Sequence, residues 1–253
     1  TANLAAVLAA RGCRVGAADA DLNGPSLARM LGAERAQLLV TEEGVEPAMG
    51  AAGVRVISMD LLLAGDDEPL RWQSTEAPAF LWQSTLEGGV LREFLADVHW
   101  GELDYLLIDA PPGTDKLTRL LQLLPRIDDL LIVTTPSEIA RFVVAKSLRL
   151  ARDAGAHRTG LVVNMTAHVC EACGHRAPLF DDDATRAQGS LEDAWAEIPF
   201  DRRLALATDR GQPFVLSAPE SPAGRALGAL ADLLEEHGSA QPLPDEPTEP
   251  QHQ

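Results

Sequence analysis

Lysine is nearly missing from this chain. Of 253 residues only Lys116 and Lys146 are lysines, and Lys and Arg together number 21 against 38 Asp and Glu. The net charge of −17 and a pI near 4.6 argue against a nucleic-acid surface, because a phosphate backbone has to be met by clustered cations. Long apolar runs are missing as well. None approaches the roughly 18 to 20 residues that cross a bilayer, so no membrane partner is expected. Cysteine is scarce: three residues, Cys13, Cys170 and Cys173, cannot build a secreted disulfide framework, and a reducing cytoplasm is the expected location. What is present is apolar mass. With 46% hydrophobic residues, the chain can build one large doubly wound domain or two small ones.

Two of the three cysteines fall in His168-Val169-Cys170-Glu171-Ala172-Cys173-Gly174-His175. Two thiolates at this spacing can grip one metal ion or one edge of a cluster from a tight turn, and such spacing outside a secreted framework points to metal or redox chemistry. Zinc and iron–sulfur sites usually take four ligands. The other two must come from His168 and His175 or from a second copy of the chain. Cys13 sits in an apolar stretch and is expected in a buried strand as a small core residue.

Along the chain, residues 1–10 have helical apolar spacing with no N-cap signal, and Arg11-Gly12 ends that helix. Mostly continuous apolar runs predict strands at 13–18, 54–59, 105–109, 130–134, 160–164 and 194–198. Helical patterns at 89–98, 117–124, 137–154, 202–209 and 222–237 lie between or after them. The alternation predicts an α/β fold, a doubly wound and mostly parallel sheet with helices on both faces. That domain is expected over 1–237. Residues 238–253, rich in Pro, Gln and acid, are expected to form a disordered tail. Trp72-Gln73-Ser74-Thr75 recurs at Trp82-Gln83-Ser84-Thr85; nothing around it repeats, and a loop insertion is expected there.

In an open parallel sheet, ligands collect at the carboxyl ends of the strands. Asp19 and Asp21 follow one predicted strand, and Asp109-Ala110-Pro111-Pro112-Gly113-Thr114-Asp115 follows another. A strand ending in Asp suits magnesium, which takes carboxylate oxygens beside substrate phosphates. Asp109 is the candidate magnesium ligand, and Gly113, with no side chain, lets backbone lie against a terminal phosphate.

Read together, residues 19–32, 103–109 with 111–114, Val133-Thr134-Thr135-Pro136, Asn164-Met165, 170–175 and Glu197-Ile198-Pro199 resemble the Mrp/ApbC family. These are deviant-Walker P-loop ATPases, related to MinD and ParA proteins, that carry iron–sulfur clusters to apo-proteins. The resemblance runs in order from Thr1 to His237. It implies that Asp21 is the first-switch carboxylate that orients the attacking water, that Asp109 is the Walker B Asp, and that Gly113 lies in the second switch. It implies that Asn164 recognises adenine with Pro199 in the loop beside it, and that Asp19 lies with the cofactor-binding residues. Cys170 and Cys173, with the same pair from a second subunit, would hold a [4Fe-4S] cluster across a homodimer for delivery to apo iron–sulfur client proteins. ATP and Mg would be the other cofactors.

The chain also departs from the family. The Gly-rich phosphate loop and the central first strand that precede the first helix are not in this sequence, so ATP hydrolysis is expected only where that upstream loop exists and not from the chain as it stands. Thr1 falls a few residues past the hydroxyl that binds magnesium. Asp115-Lys116 replace the usual Gly-Asp, so Asp115 either substitutes or caps the next helix. Trp82 stands in a segment that usually carries an Arg, and Val163 where Glu is frequent. Two other functions fit part of the pattern. One is a zinc-stabilised, non-catalytic binding module closed within one chain by Cys170, Cys173 and histidine. The other is a MinD/ParA-type positioning ATPase, against which the cysteine pair and the acidic surface speak.

Overall fold

The computed structural model describes residues 1–34, 36, 38–41, 44–61, 79–170, 172–180 and 194–238. The elements in chain order are α1 (Ala2–Ala10), β1 (Val15–Asp19), α2 (Leu27–Met30), β2 (Leu39–Thr41), β3 (Gly44–Glu46), β4 (Ala48–Met49), β5 (Arg55–Ile57), α3 (Ala79–Ala96) and β6 (Tyr105–Asp109). They continue with α4 (Thr114–Leu123), β7 (Asp129–Thr134), α5 (Glu138–Asp153), β8 (Arg158–Val169), β9 (Arg176–Pro178), β10 (Ala194–Phe200), α6 (Arg202–Asp209), α7 (Phe214–Ser217) and α8 (Pro222–Gly238).

All five residues of β1 are buried, as a strand covered on both faces requires. It pairs in parallel with β5 and with β6, Asp19 standing opposite Asp109. Antiparallel β4 completes the order β4-β5-β1-β6. A second sheet has β8 between parallel β7 and β10, with β9 antiparallel on the far end of β8. Within these two sheets β6 pairs with β1 and β7 with β8. Among the described residues neither β6 nor β7 pairs on its other side, and their mid-strand residues Leu106 and Val133 are 37% and 65% exposed.

Helices cover both faces. On one, Leu4 and Leu8 of α1, Phe214 of α7 and Leu227, Leu230 and Leu234 of α8 form one core with Val15, Val56, Val162 and Ile198, so residues of both sheets share it. On the other, Leu91, Phe94 and Leu120 from α3 and α4 bury Ala18 and Ile57, and Val144 of α5 covers Ile132, Leu161 and Val163. The α/β architecture expected from the alternating pattern is the one observed.

Several local expectations differ. Cys13 lies ahead of β1, half-buried, its thiol 3.6 Å from Glu235 Oε1, because pairing with β6 begins at Val15. Trp82 to Thr85 are helical rather than a loop insertion: nothing from Ala79 to Glu87 breaks a helix, and buried Leu91 and Phe94 carry α3 across Gly88-Gly89. Trp72 to Thr75 lie outside the described residues, as does the expected tail beyond Gly238. β8 continues past Asn164 to Val169, placing His168 in a strand, because β9 supplies it a partner. Pro199 is a buried residue of β10 rather than of a loop; β10 ends the order β10-β8-β7 among the described residues, and an end strand tolerates a residue without an N–H. Strands β2, β3, β4 and β9 have two or three residues each, too few to show a period. No described helix is long and apolar enough to cross a membrane.

Candidate functional site

Two clusters of candidate residues stand at carboxyl ends of strands. The first contains Asp19, Asp21, Asp109 and Gly113. In-register pairing of β1 with β6 sets Asp19 beside Asp109, and Ala20 N–H donates to the Asp109 carbonyl at 2.9 Å. Asp109 is half-buried and accepts a hydrogen bond from the Thr1 hydroxyl, so its carboxylate meets the N-terminal end of α1, where the helix dipole favours negative charge. Asp21 is half-buried and accepts from Asn23 N–H at 3.3 Å. Gly113 is the N-cap of α4 with φ +94°, a conformation that glycine adopts without steric cost. Asp115 therefore lies in the first turn of α4 and is not its cap.

Asp19 is 1% exposed. One carboxylate oxygen accepts Asp21 N–H at 3.1 Å; the other accepts Ser26 N–H at 2.8 Å, Leu27 N–H at 2.9 Å and the Ser58 hydroxyl at 3.2 Å. Burial raises its carboxyl above the ordinary 3.8; the three N–H donors pull it back, and neighbouring Asp109 pushes it further up. These bonds point Asp19 into the 21–27 loop rather than outward. Asp19, expected among the cofactor-binding residues, thereby ties down the loop that carries Asp21. Ser58, fully buried, is a partner that sequence reasoning missed, since a single hydroxyl at a strand end gives no pattern.

The second cluster lies on the other sheet. Asn164 pairs with Ile198, which places it beside Pro199. Two residues later along β10, Phe200 pairs with His168, four residues later along β8. The extra residues of β8 are accommodated as a bulge. Met165, 40% exposed, takes φ +60° there, and its N–H is accepted by the Asn164 side-chain oxygen at 2.9 Å. A left-handed non-glycine residue costs of order 1–2 kcal/mol and persists where the surroundings impose it. Nothing in the Asn-Met dipeptide announced this turn.

Beyond the bulge, β8 and β9 form a hairpin with Ala167 opposite Pro178 and Val169 opposite Arg176. Its tip is the stretch from Cys170 to His175. Cys170 N–H donates to the His175 carbonyl and Gly174 N–H to the Cys170 carbonyl, both at 2.9 Å. Cys170 is half-buried, Cys173 exposed, and neither is in a disulfide. His168 and His175 are both exposed. Among the described residues no three His, Cys, Asp or Glu side chains converge as a metal site.

Residues 1–235 match a ParA-type family model described as NUBPL iron-transfer P-loop NTPase. The chain is 37% identical over 237 residues to an iron-sulfur cluster carrier protein of Saccharolobus solfataricus, covering 92% of this chain and 77% of that protein. It is 36% identical over 245 residues to the protein of the same name from Deinococcus radiodurans, covering 97% and 67%. Among solved structures it resembles a nucleotide-binding protein from Archaeoglobus fulgidus in complex with ADP, with TM-score 0.66 and 33% identity over 84% of this chain and 80% of that one. MinD of Pyrococcus horikoshii complexed with Mg-ADP has TM-score 0.62 at 20% identity, covering 94% and 90%, and bears on the fold alone. With nearly its whole length matched by one family model and by relatives above a third identical, the chain belongs to the NUBPL-type iron-transfer P-loop NTPase family.

Proposed function

We propose that this chain is an iron–sulfur cluster carrier that binds a [4Fe-4S] cluster between the Cys170/Cys173 pairs of two identical subunits and passes it to apo-proteins in a reducing cytoplasm. The observation that carries this reading is the hairpin tip: two cysteines outside any disulfide, one half-buried and one exposed, projected beyond the sheet by β8 and β9. A two-fold axis at that tip supplies four thiolates. The absence of a third ligand among the described residues speaks against a zinc site closed within one chain. The names of the relatives at 36–37% identity support the carrier reading.

Nucleotide belongs at the carboxylate cluster in this reading, with Asn164 and Pro199 at the base. The donor set fits magnesium, since Asp109 and Asp21 are half-buried carboxylates at strand ends, whereas Asp19 already accepts four hydrogen bonds. Asp109 would hold the ion, with Asp21 beside its water shell, and the ion supplies charge neutralisation at phosphate oxygens. Asp21 orients the attacking water, and the fixed turn at Gly113 lets backbone approach a terminal phosphate.

Anaerobic reconstitution with iron and sulfide tests the carrier reading. Iron, acid-labile sulfide, visible absorbance and molar mass are read on one sample, beside the C170A/C173A variant. About four irons and four sulfides per dimer, lost in the variant, are expected. A variant that keeps stoichiometric iron and sulfide, or a colourless monomer that takes up zinc, overturns it.

A further inference from the structure

β8 does two different things along its length. From Arg158 to Asn164 it is an interior strand in parallel register with β7 and β10, and its last regular partners are Thr134 for Val163 and Ile198 for Asn164. From Ala167 to Val169 it is one arm of the cysteine hairpin. The change falls at a single left-handed residue, Met165, and β10 offers Met165 no register partner, since its pairing passes from Asn164 to His168 across Pro199. The bond that closes the turn is the one from Met165 N–H to the Asn164 side chain. Beyond it the hairpin is closed on itself by the Cys170, Gly174 and His175 backbone bonds and by pairing with β9. The hairpin joins the rest of the sheet through this turn and through the Phe200–His168 pair, so the turn helps to set its direction.

We propose that Asn164 is a positioning residue for the cysteine pair: by accepting the Met165 N–H, its carboxamide oxygen holds the left-handed turn that aims the Cys170–Cys173 hairpin. The proposal rests on the reading of those cysteines as cluster ligands. Residues that orient metal ligands from behind are worth about 10- to 100-fold in metal retention. Removing the carboxamide takes away the side-chain acceptor of the Met165 N–H, leaves the turn to the pairing of Asn164 with Ile198, and lets it relax toward extended backbone, which shifts the hairpin. Aspartate at 164 keeps an acceptor at the same place. Glycine at 165 takes the left-handed conformation without help, whereas a β-branched residue there resists it. The same carboxamide lies where the nucleotide base is proposed, so base binding and hairpin direction draw on one side chain.

The test uses the full chain reconstituted anaerobically without nucleotide, following iron release to a chelator. N164A is expected to release iron about tenfold faster than the unmutated chain, N164D at close to its rate, and N164A/M165G is expected to regain most of the loss. Recovery by M165G separates the turn from base recognition, which glycine cannot restore. M165I is expected to behave like N164A, and carries the test if N164A does not fold. Unchanged release from N164A and M165I, or no recovery in N164A/M165G, overturns the proposal. C170A/C173A run alongside reports on the cluster reading separately: iron kept by that variant sinks the reading itself, while iron lost from it with N164A unaffected sinks only the role of Asn164.

Discussion

Asp19 and Asp104 are both aspartates at ends of the first sheet, and their surroundings drive their acidities apart. Asp104, just ahead of β6, is gripped by Arg14 through the backbone N–H at 2.7 Å and the guanidinium at 2.8 and 3.1 Å, which hold its carboxyl at about 2. Asp19 is buried, and burial raises its pKa above 3.8 despite its N–H donors. Between 3.8 and the raised value the folded chain keeps a proton that the unfolded chain has released. That contribution to stability is fully present below 3.8 and is lost as pH rises through the folded value. Asp19→Asn has no such proton. The stability of the unmutated chain relative to Asp19→Asn is therefore expected to be highest below 3.8 and to decline as pH rises toward neutrality, read from Tm of both proteins across that range. A difference that grows with pH would contradict the assignment. At this scale the sequence showed which carboxylates follow strands; it did not show that Asp19 turns inward to Ser26, Leu27 and Ser58 while Asp21 stays at the surface of the site, because that depends on which backbone N–H groups the loop brings round.

Among the elements, the short α2 that follows the Asp21 loop is locked to the end of α6. Gly32 and Gly211 both have left-handed backbone and lie back to back: a Cβ on Gly211 would stand 2.8 Å from the Arg29 carbonyl oxygen and from the Gly32 Cα. Gly155 has nearly the same φ and open space around it. Gly211→Ala is thus expected to lose about 1–3 kcal/mol beyond the conformational cost that Gly155→Ala also bears, measured by denaturant unfolding. Equal losses would mean that the two turns do not interlock. The long elements were legible because their apolar residues recur: β6 and α6 have the bounds that their patterns predict. The bulge at Met165, the entry of Pro199 into β10 and the strand β9 were not, because each arises from pairing with a neighbour rather than from its own residues.

For the whole molecule the dominant quantity is charge. Two copies each carrying −17 repel one another, and the cluster-bridged dimer proposed above has to form against that repulsion. Raising ionic strength from about 0.01 M to about 0.15 M shortens the screening length from about 30 Å to about 8 Å. The dimer fraction of the reconstituted protein is expected to rise over that interval in sedimentation experiments. A fall with salt would indicate that opposite charges, not the cluster and apolar contact, join the subunits.

By itself the sequence determined the alternation of strand and helix, the carboxylates at strand ends and the cysteine spacing, since these follow from local periodicity and from residue identity. Tertiary structure alone decided the rest. It paired β1 with β6 so that Asp19 faces Asp109, gave one core to two sheets through α1 and α8, and carried the cysteines out on a hairpin behind a left-handed turn. Each of those depends on hydrogen bonds and packing between residues far apart in the chain, which no local pattern encodes.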